Sequence, residues 1–98
     1  MERIFEEIKR ERRRQDRQWG GPEHDDDHTS LDWVRFIAKQ LNKIDDWSYV
    51  GDRSSYYGLF RSIMVRVAAL AVAAIEWADR QYTPEELGEE SDKIHTRE

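Results

Sequence analysis

LFRSIMVRVAALAVAAIEWADRQ, residues 59–81, is the one stretch long and apolar enough to form the middle of a domain. From Val67 to Ile75 no side chain carries a charge or a hydrogen-bonding group. A helix there has no face suited to water and is expected to be surrounded by other elements. Ala68, Ala69, Ala71, Ala73 and Ala74 favour the helical state and leave little bulk, so neighbouring helices can approach closely, within the chain or between copies. Ser54 or Ser55 is placed to cap the amino end, which sets the helix at about 55–81. Arg66 interrupts a side otherwise built from Ser62, Ile63, Ala69, Leu70 and Ala73. Its guanidinium must reach water along its stem, pair with a carboxylate such as Asp32, or meet an anionic ligand.

Residues 30–44 supply a second helix to lay against the first, because Leu31, Val34, Ile37, Leu41 and Ile44 recur at threes and fours and Trp33 and Phe36 widen that stripe. On its other side Arg35, Lys39 and Lys43 stand at i, i+4 and i+8, a basic ridge. Residues 2–18 form an amphipathic helix with a thin apolar stripe of Ile4, Phe5, Ile8, Gln15 and Trp19. Arg12, Arg13, Arg14 and Arg17 crowd its second half, where they suit the helix dipole as a solvated face or could meet a phosphate.

Gly20, Gly21 and Pro22 end that helix. The loop that follows holds Glu23, His24, Asp25, Asp26, Asp27 and His28, enough imidazole and carboxylate for a divalent metal but at no established ligand spacing. Its simpler reading is a lead into a capped helix, with Thr29 at the N-cap and Asp32 three residues on. Residues 45–58, DDWSYVGDRSSYYG, read as a long aromatic connection able to cover the core or to bind. Thr83, Pro84, Glu85 and Glu86 open a short further helix. The expectation is an all-α single domain over 1–88, with a flexible charged tail over 89–98.

A 98-residue chain buries only about two thirds of its unfolded surface, and this one is 38% charged, so a hydrophobic contact between copies would help it and a homo-oligomer is expected. A formal charge of −5 argues against a general nucleic-acid binder. The absence of cysteine excludes disulfides and thiolate metal sites and fits a reducing, cytoplasmic setting. The uncharged run falls far short of the roughly 20 residues that cross a bilayer, so no membrane association is expected.

ERRRQDRQWGGPEHDDDHT at 11–29, DWVRFIAKQLNKI at 32–44 and VRVAALAVAAIEWADR at 65–80 resemble small phage and bacterial all-α proteins similar to MazG-like nucleotide pyrophosphohydrolases. The likeness covers about half the chain. It implies a helical bundle and, in the enzymes, an acidic EExxE pattern on the second helix with an acidic pair on the third, holding magnesium on a nucleoside triphosphate. Aligned on the flanking apolar residues, those positions fall on Lys39, Gln40 and Lys43, and on Ile63 and Arg66. Lysine and arginine cannot supply the oxygen ligands magnesium requires. They can offer fixed positive charge to phosphate directly.

The leading expectation is therefore a non-enzymatic protein that binds a nucleotide or other phosphate-bearing small molecule, without metal or cofactor. Within the resemblance it would be a phage product that captures a host defence signalling nucleotide. Arg35, Lys39, Lys43 and Arg66, with Trp19, His24 and His28 around the two-glycine turn, form the candidate ligand-binding set. Two other readings stay open. One is an active pyrophosphohydrolase with displaced metal ligands among Glu23, His24, Asp25, Asp26 and His28, and the other is a module that binds a host protein through the basic ridge and the aromatics.

Overall fold

In a computed structural model the protein is described over residues 1–21, 27–47 and 52–82. The regular structure of these residues is helical, without a strand: α1 spans Glu2–Trp19, α2 Ser30–Trp47 and α3 Arg53–Gln81. The expected helix from Thr83 and the charged tail lie outside the described residues.

Nothing from Glu2 to Trp19 breaks a helix, and ion pairs one turn apart line it: Glu6 with Lys9 at 3.4 Å, Glu11 with Arg14 at 2.7 Å and Arg12 with Asp16 at 2.6 Å. It stops at Gly20, whose φ of 101° lets its N–H donate to the Asp16 carbonyl at 2.9 Å. A residue with a Cβ would be strained in that conformation. Before α2, Thr29 Oγ1 accepts from the Asp32 N–H at 3.3 Å while Asp32 Oδ2 accepts from the Thr29 N–H at 2.9 Å. That is the reciprocal capping expected from the sequence.

At the start of α3 the cap is Asp52 in place of Ser54 or Ser55, its carboxylate accepting from the Ser55 N–H at 2.7 Å. A charged acceptor at the positive helix end outcompetes a hydroxyl. Arg53 lies over the Tyr57 ring at 5.5 Å and Tyr56 packs edge-on to Tyr57 at 5.3 Å, which stabilises the first turn. The connection expected over 45–58 therefore shrinks: Asp45 to Trp47 extend α2, and Arg53 to Gly58 belong to α3.

α3 is the shared element, with α1 and α2 each packing chiefly on it. Against α2 the core gathers Trp33, Leu70 and Ala73, flanked by Phe36, Ile37, Ala74 and Trp77. This rotates α2 from the expected stripe, since Leu31, Val34 and Leu41 remain exposed while Trp33 is 5% exposed. Trp33 and Phe36 remove more apolar area from water than Leu31 and Val34 would, so the aromatic face wins the contact.

The expectation that α3 is surrounded does not hold either. Ile63, Ala69 and Ala73 are fully buried, but Val72 is 40% and Ile75 62% exposed. By length and composition α3 also meets the requirement for a membrane span, a criterion that the core helix of a protein in water meets as well. Two helices cannot cover the whole circumference of a third.

Candidate functional site

α1, α2 and α3 enclose a cavity of about 400 Å³, within the usual range for small-molecule sites. Its α2 wall carries Trp33, Phe36, Lys39, Gln40 and Lys43, the residues at threes and fours beside the buried face. The last two turns of α1 bring Arg12, Gln18 and Trp19, and Leu70 of α3 forms the apolar floor. The Thr29–Asp32 capping pair fixes the entry of the chain into α2, and His28 then folds back along the same wall. Its ring stands edge-on to Trp33 at 5.4 Å and to Phe36 at 5.1 Å, and Trp33 and Phe36 meet each other at 5.9 Å.

The polar groups of this wall are mostly donors. Lys43 Nζ donates to Gln40 Oε1 at 3.2 Å, leaving other ammonium hydrogens to turn elsewhere. The indole N–H of Trp33 is buried and has no hydrogen-bond partner among the described residues. Arg12 is balanced by Asp16, so the net positive charge of the cavity rests on Lys39 and Lys43. No Asp or Glu among the described residues lines it, nor do the described residues hold three His, Asp or Glu grouped to bind a metal.

Four of the residues singled out from the sequence thus share one concavity: Trp19, His28, Lys39 and Lys43. Arg35 does not line it and sits exposed on α2, where its charge acts on Asp32. Nor does Arg66, which is half-buried on the α1 side; its charge, behind the Arg14 hydrogen bonds, helps hold the Glu11 carboxyl below its ordinary range. The Asp32 carboxylate, offered as a partner for Arg66, is engaged by Thr29, whose backbone N–H holds its pKa down. His24 lies outside the described residues.

Gln18, Phe36 and Gln40 line the cavity without having been singled out as ligand contacts, and Arg12, expected only as one of a basic cluster that could meet a phosphate, lines it too. Phe36, Lys39, Gln40 and Lys43 follow a single i, i+3, i+4, i+7 row once Trp33 is taken as the buried anchor, so the α2 part was available from spacing. Comparison with family models, curated proteins and solved structures found no match to this chain.

Proposed function

We propose that the chain binds a phosphate-bearing small molecule, a nucleotide above all, in the cavity between α1, α2 and α3, and does not cleave it. The observation that carries this reading is the placement of Lys39 and Lys43 on the α2 wall of a cavity that Trp19 and His28 also line. Two ammonium groups suit a phosphate, and the aromatic and apolar surface around them suits a base. A lining in which the described residues bring lysine and arginine donors and no carboxylate favours holding an anion over activating water on a metal, since magnesium needs oxygen ligands. Hydrolysis with displaced metal ligands among Glu23, His24, Asp25, Asp26 and His28 is the second reading, and turnover assays with magnesium, manganese and zinc separate it from the first.

The narrower parts of the reading are a MazG-like bundle, an assembly of identical copies and a cytoplasmic role capturing a signalling nucleotide, as a phage product would. Native mass spectrometry of protein purified from cells tests the central part. The expected spectrum shows a retained mass of nucleotide size that the double variant Lys39→Ala, Lys43→Ala does not carry. Retention of that mass by the double variant would move the ligand away from this cavity.

A further inference from the structure

We infer that the exposed face formed by α1 and the carboxyl-terminal half of α3 docks a second copy of this chain across a two-fold axis. A wedge of about 410 Å³ opens there, on walls that include Phe5, Ile8, Val72, Arg13 and Glu76. Beside it Ile75 projects at 62% exposure, one residue before Glu76 on the same helix. A knob next to a hole on a single surface is the arrangement a two-fold contact requires, because each copy inserts the one into the other.

The charges fit in the same way. Arg13 and Glu76 stand on opposite walls of the wedge, and neither has an ion-pair partner among the described residues. Lys9 and Arg12 also line the wedge and are engaged within the chain by Glu6 and Asp16, so a two-fold axis that sets the Arg13 of one copy against the Glu76 of the other pairs the two remaining charges twice.

The identity of the occupant follows from the size of the core. Among the described residues five hydrophobic side chains are buried and twelve large ones are exposed, so the cover must be present whenever the chain is folded. Another copy meets that condition. This assembly does not depend on the nucleotide reading: a dimer that binds nothing, or a monomer that binds, would tell the two apart.

Sedimentation velocity of the full chain over a micromolar concentration series tests it. The expected species has twice the 11.8 kDa chain mass. Ile75→Glu should sediment as a monomer with unchanged helical circular dichroism. Should that variant not fold, the charge exchange keeps the test open: Arg13→Glu and Glu76→Arg each weaken association tenfold or more, and the two together restore it. A wild-type chain that stays monomeric throughout overturns the inference. So does a dimer indifferent to all these changes, which would place the contact elsewhere, for example on the Leu31, Val34 and Leu41 strip. Sedimentation only with phospholipid vesicles would assign the face to a membrane and overturn it as well.

Discussion

α3 meets its two neighbours by different chemistry. Against α2 the contact is apolar and aromatic, built on Trp33, Leu70 and Ala73. Against α1 it has a polar part: Arg61 donates to both Glu7 oxygens at 2.7 and 2.8 Å, and the fully buried Gln15 donates to the Arg66 carbonyl at 3.4 Å and to Glu11 at 3.2 Å. Burial of apolar area stabilises a fold directly, whereas exposed ion pairs contribute little and a buried amide must recover its desolvation cost through hydrogen bonds. The α2–α3 pair is therefore the stable half of the molecule, and α1 the adjustable wall of the cavity.

The largest test of that contrast is Leu70→Ala, which removes a side chain only 3% exposed from the apolar contact. It should cost about 2–5 kcal/mol in denaturant unfolding, as deletions of buried leucine do. On the ligand side, Lys39→Ala and Lys43→Ala should each weaken nucleotide binding roughly tenfold, or ~1.4 kcal/mol, while leaving unfolding unchanged. High salt should weaken binding in the same sense.

On the α1 side, Gln15→Met keeps the volume and removes an amide oxygen that has no partner among the described residues. It should stay within about 1 kcal/mol of wild type, because the lost hydrogen bonds are offset by the lost desolvation. A cost exceeding that of Leu70→Ala would reverse the assignment of the two halves.

How far the sequence carries this contrast depends on the kind of information each half needs. The three helices were legible because Gly20 and the Thr29–Asp32 pair are local signals, read within one turn of the chain. The face of α2 was not, since Leu31 and Trp33 both satisfy an apolar period, and only the area each buries against α3 decides between them. For the same reason Lys39 and Lys43, on one helix at i, i+4, were legible as a pair, while Gln18 was not and Arg12 was legible only as one of four arginines that could meet a phosphate. Their presence at the cavity depends on how α1 is placed against α2, which no local pattern encodes. Arg66 was grouped with the lysines by alignment, but its position on α3 turns it to the α1 side.

The smaller tests concern the helix ends and the exposed ion pair. The Ser55 backbone N–H on Asp52, the Thr29 backbone N–H on Asp32 and the Arg61 guanidinium on Glu7 hold these carboxyls below their ordinary values of 3.8, 3.8 and 4.5. A group whose pKa is lower folded than unfolded lends stability above the unfolded value and loses it as the pH falls through the folded one. Thermal stability should therefore decline as the pH drops below those ordinary values, and Asp52→Asn and Glu7→Gln should each flatten that decline in a melting series. Gly58 stands inside α3 with open space where a Cβ would go. Gly58→Ala should raise stability by about 0.5–1 kcal/mol, and a loss there would show that the start of α3 is not helical in solution.

The most direct measurement is a calorimetric titration of the protein with mono-, tri- and cyclic nucleotides in the absence of magnesium, run beside the Lys39→Ala, Lys43→Ala variant. The cavity as described predicts saturable heat with at least one nucleotide and its loss in the variant. No heat with any nucleotide, or equal heat from both proteins, would contradict it.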